Sequence, residues 1–127
     1  MALSNMAIAV KKQMTAAVTL NRALQATGRE WQELASSEEA LGEDLVWQLL
    51  LEKRQLQRQA AKRSLRNWVW LRRARLNERR FRLMKLRYVQ GLPWSKVIVA
   101  FGCSKQYLLR EHNRALEQIA AVVGGAG

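Results

Sequence analysis

The amino-acid sequence predicts an all-α fold: a helical N-terminal region and a long basic helix, followed by a C-terminal helix-turn-helix. Three observations carry that expectation. Pro occurs once and Gly seven times in 127 residues, with three of the glycines in the last four positions, so helix breakers are scarce. Apolar residues recur at the three-to-four spacing of a helix. Apolar residues make up 49% of the chain, enough for the core of one small domain and too many for a disordered or fibrous chain.

The elements follow in order. Met6, Val10, Met14, Ala17 and Leu24 keep helical spacing, which predicts a first helix over 5–27 with Gly28 as its stop. Residues 29–42 read as a connection. Ser36 followed by Glu39 forms a capping box, so a second helix should begin near Ser37, with Gly42 as a weak point. From 43 to about 74 nothing breaks a helix. Leu45, Leu49 and Leu56 predict an apolar seam, widened by Trp47, Leu50 and Leu51. Lys53, Arg54, Arg58, Lys62 and Arg63 wrap round the middle of this helix, which must be largely solvated. Further on, Leu65, Trp68, Val69 and Leu76 predict a buried stripe, with Trp70 off it as the exposed aromatic. A break falls at Leu76–Asn77, where the Asn77 side chain can cap the next helix. The sequence thus divides into 1–42, the long basic helix 43–76, a helix-turn-helix unit 77–122 and a flexible tail 123–127.

Within the third segment a helix over 78–90 carries Phe81, Leu83, Met84, Leu86, Tyr88 and Val89. Gly91 can end it in the left-handed conformation. Pro93 suits the first turn of a short helix over 94–100, with Val97, Ile98 and Phe101 inward. Gly102 allows a tight turn, Cys103 is a small apolar plug, and Ser104 is a good N-cap. In the last helix, over 105–122, Leu108, Ala115, Ile119 and Val122 share one stripe, with His112 on it and packed near Trp94. The opposite face presents Gln106, Arg110 and Asn113, flanked by Lys105 and Arg114.

Charge points to a partner. The net charge is +12, and it is uneven: residues 1–44 hold four Lys/Arg against six Asp/Glu, and residues 45–127 hold eighteen against four. Nucleic acid is the default polyanion for such a surface. In the last helix, N-terminal polar residues opposite an apolar stripe are the layout of a helix that reads a major groove. Arg suits guanine O6 and N7, and Gln or Asn suits adenine N6 and N7, so Gln106, Arg110 and Asn113 are the expected base-reading residues. Lys105 and Arg114 are expected on phosphates, with Arg72, Arg73, Arg75, Arg79 and Arg80.

The stretch LMKLRYVQGLPWSKVIVAFGCSKQYLLREHNRAL resembles region four of bacterial sigma factors. It is more similar still to the short sigma-region-four-like regulators of phages and prophages, late-gene activators of the RinA and ArpU type. The matching residues are Leu86-Arg87-Tyr88, Gly91, Trp94, Gly102, Ser104, His112 and Arg114-Ala115-Leu116, within residues 76–120. The pattern departs at Ile98, where that group carries a small Ala, and at Ser95 or Lys96, where it carries an acid. Nothing resembles a sigma region two, so a complete sigma factor is excluded. The resemblance implies a transcription regulator that binds double-stranded DNA in the cytoplasm of a bacterial host. RNA polymerase is a further candidate partner and a homo-oligomer a candidate state. Two alternatives stay open: a small terminase-like DNA-packaging subunit, and a regulator that binds RNA polymerase without firm DNA contact.

Other classes fit poorly. One His and one Cys form no metal set, no cofactor is implied, and GxxxxGK[ST], GxSxG and HExxH do not occur, so an enzyme is not expected. Glu38, Glu39, Glu43 and Asp44 cluster as at a solvated helix start. No apolar run approaches the roughly 20 residues of a bilayer span, so no membrane partner is expected. The start, MALSNMAIAVKK, lacks the basic region that opens a secretory signal. A single cysteine leaves no internal disulfide, which fits a reducing cytoplasm.

Overall fold

The computed structural model describes residues 2–35 and 42–124, and every regular element among them is a helix. These are α1 (Asn5–Ala35), α2 (Glu43–Arg73), α3 (Glu78–Tyr88), α4 (Trp94–Phe101) and α5 (Lys105–Gly124). The capping box at Ser36 and Glu39, the helix start near Ser37 and the last three residues lie outside the described residues.

α1 does not stop at Gly28 but runs through it to Ala35. A helical Gly costs about 1 kcal/mol against Ala, which lowers propensity without forcing a break. The helix packs along α2. Its buried stripe is Ala7, Val10, Met14, Ala17 and Val18, while Met6 stays outside. Ser4 caps its start, accepting a hydrogen bond from the Ala7 amide at 3.1 Å. The Ser4 amide and hydroxyl in turn donate to the two oxygens of Glu117 on α5, at 2.7 and 2.9 Å.

α2 is continuous, and Gly42 precedes it with φ +76°. Its inner face differs from the expected stripe. Leu65 and Val69 are exposed, and the buried positions are Ala60, Asn67 and Leu71, with Ala74 just beyond the end. Trp68 is half-buried against Phe81, with ring centroids 5.7 Å apart, and Trp70, expected outside, packs against the core. The expected seam at the start of the helix is also largely uncovered: Leu45, Trp47, Leu50, Leu51 and Leu56 are exposed and Leu49 is half-buried. Asn67 explains the rotation. Its side-chain amide donates to the carbonyls of Met14 (3.1 Å) and Tyr88 (3.2 Å), joining α1, α2 and α3 in the interior. Asn21 to Ser64 (2.9 Å) and Arg66 to Gln13 (3.3 Å) show that α1 and α2 run antiparallel.

The remaining elements match the sequence closely. Asn77 caps α3 by accepting from the Arg80 amide at 2.8 Å. Gly91 and Gly102 have φ of +69° and +65°, the left-handed region in which glycine is favoured. Pro93, extended at φ −68°, precedes the first residue of α4. The Ser104 hydroxyl accepts from the Tyr107 amide at 3.2 Å and opens α5. Arg87 braces the intervening loop: it donates to the Leu92 carbonyl at 2.8 Å and lies 4.8 Å over the Trp94 ring.

Among the described residues two apolar clusters hold the helices together. The larger joins Val10, Met14, Leu71, Met84, Tyr88, Leu116 and Ile119, so one core crosses from the α1–α2 hairpin into α3 and α5. The smaller, Leu83, Val97 and Leu108, lies under α4, with Ile98 and Phe101 partly buried at its edge.

Candidate nucleic-acid interface

α5 is held from one side and open on the other. Leu108, Ala115, Leu116 and Ile119 are fully buried on its inner side, and His112 is buried among them. His112 sits between Tyr88 and Trp94: its Nε2 is 2.6 Å from the Tyr88 hydroxyl, and its ring centroid is 5.2 Å from that of Trp94. Its Nδ1 is 3.1 Å from Asn113 Oδ1. Burial pushes the His112 pKa down to about 4, so the ring is neutral near pH 7, and burial pushes the Tyr88 hydroxyl up to about 12. With a neutral ring, Nδ1–H donates to Asn113 and Nε2 accepts from Tyr88. The sequence expectation for His112, packed near Trp94, matches this geometry.

Lys105, Gln106, Arg110 and Arg114 are exposed on the open side. Gln106 and Arg110 lie four residues apart on one face, and neither engages a side-chain partner among the described residues. Asn113 is different. It is half-buried, and its Oδ1 already accepts from His112, so its Nδ2 donor is the freer half of the pair that recognition of adenine uses. Arg114, 66% exposed along its side chain, reaches only 3.8 Å toward Glu111 and is free to turn outward.

The expected phosphate set separates into two kinds. Arg72, Arg73, Arg75 and Arg79 are exposed. Arg75 has φ +49°, uncommon for a residue with a Cβ, in the turn that follows α2. Arg79 donates to the Tyr107 hydroxyl at 2.5 Å, which positions it next to the start of α5. Arg80 belongs elsewhere: it bonds Glu111 at 2.6 Å and Gln118 at 2.7 Å, with only 19% of its side chain exposed, and so ties α3 to α5. Its placement follows from the α3 face it occupies, which packs on α5. A charge paired inside the fold is not available to a phosphate.

Sequence reasoning missed Arg82 and Tyr107. Arg82 lies 4.9 Å over the Phe101 ring. With Arg79, Phe101, Cys103 and Tyr107 it lines a cleft of about 650 Å³ beside the N-terminus of α5. The spacing of Arg79 and Arg82, three apart on one helix face, was a signal for the pair. Tyr107 gave none, because only the fold brings it to α3. Among the described residues no group of three His, Cys, Asp or Glu could hold a metal ion, and no helix is long and apolar enough to cross a membrane. No protein-family model, no curated protein and no solved structure matches the chain.

Proposed function

We propose that this chain is a non-catalytic transcription regulator that binds double-stranded DNA with α5 in the major groove. One observation carries the reading: Gln106 and Arg110 stand exposed and unengaged on the outer face of a helix whose inner face is buried, with exposed arginines on the elements beside it. Arg110 would pair with guanine and Gln106 with adenine. Asn113, its Oδ1 shared with His112, would contribute chiefly a donor. Lys105, Arg114, Arg79 and Arg82 would meet phosphates near the start and along the flank of α5, and Arg72, Arg73 and Arg75 would extend that contact. The resemblance to sigma-region-four-like phage regulators supports the same reading. It also makes a phage or prophage setting and contact with RNA polymerase part of the proposal.

The deciding experiment is selection of bound sequences from random duplex DNA, with affinity followed across salt. A defined motif with a steep salt slope is expected. Salt-sensitive binding with no motif would sink the groove-reading assignment. The exposed apolar side of α2 keeps the DNA-packaging reading in view, since a packaging subunit must assemble. That reading requires a ring, whereas the regulator requires a monomer or dimer.

A further inference from the structure

His112 stands in the middle of a hydrogen-bond relay that runs from α1 through α3 to the open side of α5. The order of donors is fixed from the inner end. The Thr15 hydroxyl of α1 donates to the phenol oxygen of Tyr88, the direction that favours a phenolate. The phenol's own proton is then directed at His112 Nε2, 2.6 Å away. Burial, with the charges of Lys11 and Arg87 nearby, keeps the ring neutral near pH 7. A neutral imidazole carries one ring proton, and with Nε2 accepting, that proton sits on Nδ1. Nδ1 faces Asn113 at 3.1 Å, where the only acceptor of the side-chain amide is Oδ1. The carbonyl half of Asn113 is therefore turned toward a buried ring, and its amino half is the freer to point outward.

Asn113 shares the side of α5 that carries Gln106 and Arg110, three residues and about 4.5 Å beyond Arg110. With α5 in the major groove it faces the base beside the one that Arg110 reads. Adenine uses both halves of an amide, because Nδ2 gives to N7 while Oδ1 takes from N6. An amide whose Oδ1 is already engaged is better matched to an edge of acceptors, guanine N7 and O6 or thymine O4. We propose that His112, held by Tyr88, is a positioning residue that orients the Asn113 amide and so selects guanine or thymine over adenine at the base Asn113 faces. The inference rests on α5 entering the groove. It makes one letter of the recognised sequence depend on a buried pair of rings.

Two substitutions at position 112 separate orientation from packing. The side-chain amide of glutamine reaches where Nε2 stands, and that of asparagine reaches where Nδ1 stands. His112→Gln thus keeps a partner for Tyr88 and loses the donor to Asn113, whereas His112→Asn keeps the donor and loses the partner. Both are carried through selection from random duplex DNA beside the wild-type chain, Asn113→Ala and Arg110→Ala, once circular dichroism verifies that the helices persist. One position of the wild-type motif should favour guanine or thymine over adenine. In His112→Gln that ratio should fall by about fivefold at that position alone, the size of one hydrogen bond. Asn113→Ala should erase the preference at the same position. His112→Asn should retain it, although its smaller side chain leaves a cavity beside Trp94; a merely structural role would cost it the preference too. A motif that changes in Arg110→Ala but in neither His112→Gln nor Asn113→Ala overturns the proposal and leaves the groove reading standing. No motif in the wild-type chain overturns both. Nitrogen NMR of the free chain gives a readout without DNA. It should show His112 as the Nδ1–H tautomer, and the Nε2–H tautomer would overturn the proposal whatever the DNA selection gave.

Discussion

The α1–α2 hairpin and the α3–α5 unit are both helical, yet their inner faces are specified in different ways. In α3–α5 the helices have 11, 8 and 20 residues, and their junctions are set by Asn77, Gly91, Pro93, Gly102 and Ser104, each with a local conformational reason to be where it is. Helices that start at defined caps and turns have little freedom to rotate. In the hairpin, α1 and α2 have 31 residues each. Apolar residues occur on more than one side of α2, and only packing selects which side is buried. A long helix with distributed apolar residues therefore has a face chosen by its partner.

The largest expected effect breaks the comparison inside one helix. Leu71→Ala should destabilise the fold by about 3 kcal/mol in a denaturant melt, because Leu71 is fully buried. Leu65→Ala should change the stability of the isolated chain by no more than about 0.5 kcal/mol. Equal losses would mean that the inner face of α2 is misassigned.

Asn67→Ala comes next. It removes the donor from two buried carbonyls, those of Met14 and Tyr88, and should cost about 2 kcal/mol. Its effect tests whether a polar residue, and not the apolar pattern, sets the rotation of α2. Amide exchange near Met14 and Tyr88 should accelerate in the same variant.

In the C-terminal unit, Arg110→Ala should relax base preference at one position of the selected site, at a cost of roughly 1–3 kcal/mol to the preferred sequence. Arg79→Ala should weaken all sequences alike and lower the salt slope by about one. Intact affinity and preference in Arg110→Ala would remove α5 from the groove.

His112 gives the gentlest test. Unfolded, the ring takes a proton near 6.5, the ordinary value for histidine; folded, burial holds that off until about 4. The folded state thus binds fewer protons across that window. Stability should fall as pH drops from about 6.5 toward 4, by up to about 1.4 kcal/mol per pH unit, and be unaffected by this group above it. In His112→Gln that acid slope should flatten in thermal melts. An unchanged slope would mean that other groups control acid sensitivity.

The α3–α5 boundaries were legible because caps and turns are local: Asn77, Gly91, Gly102 and Ser104 act on backbone groups within a few residues. The inward positions Leu108, Ala115 and Ile119 were legible for the same reason, since helical spacing fixes one face relative to another. Gln106 and Arg110 followed as the opposite side. Arg80 and Asn113 did not, because whether a surface-patterned side chain faces solvent or a neighbour depends on what packs beside it. Arg80 finds Glu111 and Gln118, and Asn113 finds a buried His112.

By itself the sequence determined the all-α class, the positions of the last four turns and caps, and the concentration of positive charge beyond residue 44. Those properties rest on backbone preferences and composition, which act without tertiary contacts. Only the tertiary structure decided that α1 continues through Gly28, that Asn67 rather than Leu65 faces inward, and that Trp47 and Leu51 stand uncovered. Each of these is a choice between locally similar alternatives; at Asn67 the buried hydrogen bonds to Met14 and Tyr88 and the packing of α2 on α1 and α3 make it.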